Sequence, residues 1–137
     1  MDNMYRENIL DHGMNPRNAG VVDPATIDYE VKNPLCGDRL RLTLRVDENN
    51  VVTEIGWDGE GCAISQASAS MLGEEIIGKS LDEIKTLSKD DIYAWLGIPI
   101  SANRVKCALL GLKALNVGLY GVEYWRDLQE REEEDEE

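Results

Sequence analysis

Between residues 27 and 57 the chain alternates apolar and polar side chains with a period of two. Ile27, Tyr29 and Val31 alternate with Asp28, Glu30 and Lys32, and Leu40, Leu42, Leu44 and Val46 alternate with Arg39, Arg41, Thr43 and Arg45. Val51, Thr53, Ile55 and Trp57 form the third such series. A period of two places one set of side chains on a buried face and the other in water, so three half-buried strands are predicted. Asp47-Glu48-Asn49-Asn50 has the polar composition of a tight turn and joins the second and third strands as a hairpin.

From Ala63 the period lengthens. Ile64, Ala67, Met71, Leu72 and Ile76 make a helical stripe that stops at Gly78. Ser80 and Glu83 have capping-box spacing, and Ser88 can cap a short helix through Trp95 ended by Gly97 and Pro99. Ala108, Leu112, Leu115 and Leu119 mark a longer helix ending near Gly121. At the other end, Asp2 to Asp11 reads as a short helix with Tyr5, Ile9 and Leu10 on its apolar edge, broken at His12-Gly13 and Asn15-Pro16. Strands followed by a block of helices mean an α+β fold: a small antiparallel sheet of about three strands with helices packed on one face.

Length and composition narrow the field. A chain of 137 residues with 42% hydrophobic content suits one domain with a real core. It carries 27 acids against 14 bases, a net charge of −13, which disfavours nucleic acid as a partner. Residues 126–137 contribute −6 of that charge and read as a solvated acidic tail, so the folded domain is placed at residues 1–125. No window is long and apolar enough to cross a bilayer, and Met1 to His12 shows no apolar secretory core; the expected location is the cytoplasm, with no membrane partner.

Three cysteines cannot all pair within one chain, and in a reducing compartment such residues serve more often as ligands or nucleophiles than as disulfides. Cys36 and Asp38 flank Gly37 in the break between the first two strands, so in extended backbone their side chains point the same way. Cys62 follows Gly59-Glu60-Gly61 at the switch from strand to helix, where free N–H groups favour an anion. Cys107 follows Arg104-Val105-Lys106 in the first turn expected for the last helix. Each site alone has a plain alternative: Cys36 and Cys107 as small buried thiols, and Gly59 and Gly61 before Cys62 as no more than a turn. Together they all fall at junctions between elements, which cluster at one end of a two-layer domain. Three sulfurs and the Asp38 carboxylate make four ligands, the number taken by tetrahedral zinc or by the two irons of a [2Fe–2S] cluster.

These motifs resemble the iron–sulfur cluster assembly scaffolds of the IscU, SufU and NifU N-terminal family. The matching stretches are Ile9-Leu10-Asp11-His12 with Asn15-Pro16-Arg17-Asn18, Asn33 to Asp38, Gly59 to Ser65 with Ala67 to Ser70, and Arg104 to Cys107. The resemblance spans roughly Tyr5 to Tyr120. It implies a scaffold that receives persulfide sulfur from a cysteine desulfurase, gathers iron, builds a [2Fe–2S] cluster and passes it to apo-acceptor proteins. Cys36, Asp38, Cys62 and Cys107 match the family's ligand positions, with zinc in the same site in isolated members. A zinc-dependent sulfurtransferase of the SufU kind is the alternative, with Cys107 as candidate persulfide acceptor. Self-association of the chain is left open.

The chain also departs from its relatives. Where IscU has a His before the third cysteine, Lys106 stands here, and the IscU chaperone signal is replaced by Gly97-Ile98-Pro99-Ile100-Ser101. Lys106 and Arg104 look more like SufU, yet the short stretch from Cys62 to Cys107 leaves little room for the SufU insertion. His12, the only histidine, is expected to have a structural or interface role.

Overall fold

A computed structural model describes residues 2–33, 37–97, 99–102 and 104–135. Three strands, β1 (Ile27–Asn33), β2 (Asp38–Val46) and β3 (Val52–Glu60), form one antiparallel sheet in the order β1-β2-β3. Around it run α1 (Asp2–Met14), α2 (Ala63–Ile76), α3 (Leu81–Ile84), α4 (Lys89–Leu96), α5 (Val105–Ala108), α6 (Leu110–Tyr120) and α7 (Val122–Asp135). Helix α6 lies against β1 and β2, α2 lies against β3, and α1 packs on α2.

The alternation along β2 sorts its side chains as expected. Leu40, Leu42 and Leu44 are buried and join Leu72, Ile76, Leu112 and Leu115 in the core between sheet and helices. Arg39, Arg41 and Arg45 point to the opposite, wet face and pair there with acids of the neighbouring strands. Arg41 grips Asp28 with two hydrogen bonds of 2.9 and 2.7 Å, and Arg45 also donates to the Pro24 carbonyl, fastening the connector before β1. Such exposed pairs each contribute little, but they fix which face is wet.

Three details differ from the sequence expectation. In β3 the register shifts opposite Arg45 and Val46, which pair with Glu54 and Val52 and leave Thr53 as the extra residue of a bulge. Val52 is therefore buried and Thr53 exposed, so Val51 and Thr53 do not share the face of Ile55 and Trp57. Helix α1 runs through Gly13 to Met14, because Ile9 and His12 bury against α2 and tertiary packing outweighs the glycine; Leu10 is exposed, and the side chain of Tyr5 lies outside the described residues. The last predicted helix is split, with Leu109 closing α5 and opening α6.

The helix signals otherwise hold. Ser80 caps α3 with Glu83 in a capping box, and the Ser88 N–H donates to Asp91 over 2.9 Å at the start of α4. Gly97 ends α4 at φ +71, a left-handed conformation that glycine adopts without strain. The tail boundary placed after residue 125 falls inside the continuous helix α7.

Candidate metal centre

Cys62 is the N-cap of α2, in extended backbone at φ −72 and ψ 167, where β3 ends and the helix starts. Asp38 opens β2 and lies only 4% exposed. Cys107 sits in α5 and is equally buried. The Cys62 Sγ stands 3.8 Å from Asp38 Oδ2, and one ligand atom from each of Asp38, Cys62 and Cys107 lies within 4.8 Å of the others. Three segments far apart in sequence thus meet at one end of the sheet. Cys36 lies outside the described residues. Its neighbour Gly37, at φ +75, lines the recess, and the Gly37 N–H donates to the Asn33 carbonyl over 2.8 Å.

The recess is open, about 470 Å³, and is lined by Gly37, Asp38, Glu60, Gly61, Cys62, Arg104 and Cys107. Gly61 is there for space. A Cβ at that position would lie 2.7 Å from Asp38 Cγ and 2.8 Å from its Oδ1, so the glycine is what lets the carboxylate lie against the β3–α2 junction. In the sequence Gly61 is only a glycine flanking Cys62; the approach of Asp38 is a tertiary fact.

Serines of α2 fasten the segments that carry the cysteines. Ser65 Oγ donates to the Cys62 carbonyl over 3.0 Å, and Ser68 Oγ donates across to the Ala108 carbonyl over 2.6 Å, next to Cys107. Ser70 serves elsewhere: its Oγ accepts from the Arg17 N–H at 2.8 Å and lies 2.7 Å from His12 Nδ1. His12 therefore joins a buried polar latch between α1 and α2, with Glu74 3.9 Å from its Nε2, and not the recess. Burial, and next the Arg17 cation, hold His12 below its ordinary basicity, while Glu74 and Asp11 pull the other way; it is a neutral hydrogen-bonding group. Of the two cations before Cys107, Arg104 lines the recess, whereas Lys106 lines the adjoining groove.

The donor set suits a thiophilic metal. Sulfur with one carboxylate is the chemistry of zinc and of iron–sulfur sites. With metal–sulfur bonds near 2.3 Å, a tetrahedral ion needs ligand atoms about 3.8 Å apart. A carboxylate oxygen bonds zinc at about 2.0–2.2 Å, which brings a sulfur–oxygen pair to about 3.5 Å; the Cys62–Asp38 separation of 3.8 Å is close to that value, and the widest of the three needs to close by about 1 Å.

A family model described as the NifU-like N terminal domain matches residues 4–127. The chain belongs to this family. Among its relatives, the zinc-dependent sulfurtransferase SufU of Bacillus subtilis (strain 168) is 38% identical over 136 residues, covering 87% of this chain and 91% of the relative. The iron–sulfur cluster assembly scaffold protein IscU of Aquifex aeolicus (strain VF5) is 36% identical over 116 residues, covering 84% of this chain and 73% of the relative. A crystal structure from Fervidobacterium islandicum AW-1, described as a candidate cluster assembly scaffold for the SUF system, superposes with a TM-score of 0.66 at 31% identity, over 82% of this chain and 94% of that one. The family thus includes both named scaffolds and a named sulfurtransferase, and this chain resembles each at comparable identity.

Proposed function

We propose that this protein is a scaffold on which a [2Fe–2S] cluster is assembled from iron, desulfurase-derived persulfide sulfur and electrons from a thiol or protein reductant that bring that sulfur to sulfide, held by Cys36, Asp38, Cys62 and Cys107, and passed to apo-acceptor proteins. The observation that carries this reading is the meeting of two thiols and one carboxylate in an open recess at one end of the sheet. A carboxylate is a harder ligand than thiolate and holds iron less firmly, which suits cargo that has to leave. An open recess admits a partner's persulfide-bearing loop and later an acceptor. The partners are a cysteine desulfurase and the acceptors; the setting is the cytoplasm, where thiols stay reduced. Among the described residues no helix is long and apolar enough to cross a membrane.

A second reading rests on the SufU relative, matched over most of both chains. The same four residues would then hold zinc, and Cys107 would act as persulfide acceptor. Its sulfur attacks the outer sulfur of the desulfurase persulfide, the S–S bond breaks, and the desulfurase thiolate leaves. Anaerobic incubation with a cysteine desulfurase, ferrous iron and cysteine separates the two readings. A scaffold gains iron, sulfide and visible charge-transfer absorption in step. A sulfurtransferase keeps its zinc, gains no chromophore and accelerates desulfurase turnover. Absence of both responses overturns the proposal.

A further inference from the structure

Beside the cysteine recess a second cavity, a groove of about 500 Å³, opens between β1, α5, α6 and α7. Lys32, Lys106, Lys113 and Arg126 line it, with Val122 and Trp125 supplying apolar wall. Among the described residues no acid lines the groove, and none of the four cations makes an ion pair. Yet the chain has 27 acids and only 14 bases. Gathering four of those bases without an acid among them is repulsive until an anionic occupant offsets it.

The chain itself carries a fitting occupant. Its last eight residues, 130–137, hold seven acids and one arginine. Val122, Trp125, Arg126 and Gln129 face the groove at the helical spacing i, i+3, i+4, i+7, and α7 continues without a break to Asp135. A continuous helix cannot lay its later turns beside its own earlier ones, so the tail does not reach the groove of its own chain. A second copy can supply it. Eight residues of α7, 122–129, span the groove over about 12 Å of helix, and the helix carries six more of the acidic segment, 130–135. With α7 of two copies antiparallel about a two-fold axis near residues 129 and 130, each tail lies along the other's groove, as a closed, self-complementary interface requires.

We propose that the groove takes the acidic C-terminal segment of a second copy, giving a two-fold, salt-sensitive dimer. The contact covers Val122, which is 49% exposed, and brings tail carboxylates to Lys106, Lys113 and Arg126. Two chains of net charge −13 repel at long range, but a Debye length of about 8 Å at physiological salt screens distant faces more than charges in contact. At about 1 M salt, where that length falls to about 3 Å, the groove contact is screened too.

Sedimentation equilibrium of the full chain at about 0.15 M salt tests this, without reference to what the recess binds. The expected mass rises with concentration from 15.3 kDa toward twice that value and returns to monomer near 1 M salt. The double variant Lys113→Glu, Arg126→Glu should weaken association at least about tenfold, since it opposes like charges. A chain with Glu132→Gln, Glu133→Gln, Glu134→Gln and Asp135→Asn should weaken it similarly. Mixing the two variants should restore part of the association, because one keeps its tail and the other its groove. A wild-type chain that stays monomeric throughout overturns the proposal. So does a dimer that neither variant weakens, or a mixture that associates no better than its parts.

Discussion

Asp38 is a carboxylate held almost out of water with its Oδ2 3.8 Å from a cysteine sulfur, and Gly61 lets it lie there. Each residue yields a prediction. If Asp38 is the labile ligand of a scaffold, Asp38→Ala keeps three sulfurs and assembles cluster, yet releases it more slowly to an apo-acceptor; Asp38→Cys slows release further. Bound iron and transfer rate, measured on the same samples, check this, and unchanged transfer in Asp38→Ala removes the residue from the mechanism. If the site instead serves zinc, losing Asp38 lowers zinc content. Gly61→Ala places a methyl group 2.5 Å from Ser65 Oγ and 2.7 Å from Asp38 Cγ, so the hydroxyl and the carboxylate must both shift. The expected result is metal affinity weakened by about 10-fold or more, on the scale of supporting-shell changes, read by competition with a chelator.

The elements that bring the cysteines together are tied by buried hydrogen bonds between helices. Ser68, 1% exposed, reaches from α2 to the Ala108 carbonyl beside Cys107. Ser68→Ala leaves that carbonyl without its partner and should cost about 1–3 kcal/mol in urea unfolding. The latch between α1 and α2 makes stability depend on pH. His12 binds protons less readily in the folded chain than its ordinary value of 6.5. Above that value both states are neutral and the latch is at full strength. As pH falls through it, the unfolded chain takes up a proton that the folded chain resists, so stability declines until the lower folded value is passed. His12→Gln should flatten this decline as pH falls below about 6.5, as followed by thermal melts. Asp11 and Asp28 act in a separate, more acidic window. Arg17 and Arg41 respectively hold them below the usual 3.8, and that contribution is lost only as pH falls below it.

For the whole molecule, one core serves both the sheet and the helices, and its centre is sensitive. Leu44 is fully buried on β2, and Leu44→Ala should cost about 2–5 kcal/mol, a large share of the about 5–15 kcal/mol that domains of this kind possess. A urea titration measures it. Much of this architecture was legible from local pattern. Alternation along β2 assigned Leu40, Leu42 and Leu44 inward and the arginines outward, because a strand's period is a backbone property. The caps at Ser80 and Ser88 and the stop at Gly97 were legible for the same reason: they depend on neighbours three or four residues away. Placing Cys62 at a strand-to-helix switch was equally local. What sequence left open depends on partners distant along the chain. The bulge that buries Val52 and exposes Thr53 follows from pairing with β2, and the persistence of α1 through Gly13 follows from burial against α2. The split at Leu109, the space at Gly61 and the unpaired cations of the groove arise only where separate elements meet. Sequence by itself determined the three strands, the helices α2 to α4, the inward face of β2 and the residues capable of chemistry, since those are set by propensity and periodicity; the helix α7 through the acidic tail was not among them. Only the tertiary structure decided that Asp38, Cys62 and Cys107 meet and that His12 stays apart, because which side chains converge is fixed by the packing of whole elements.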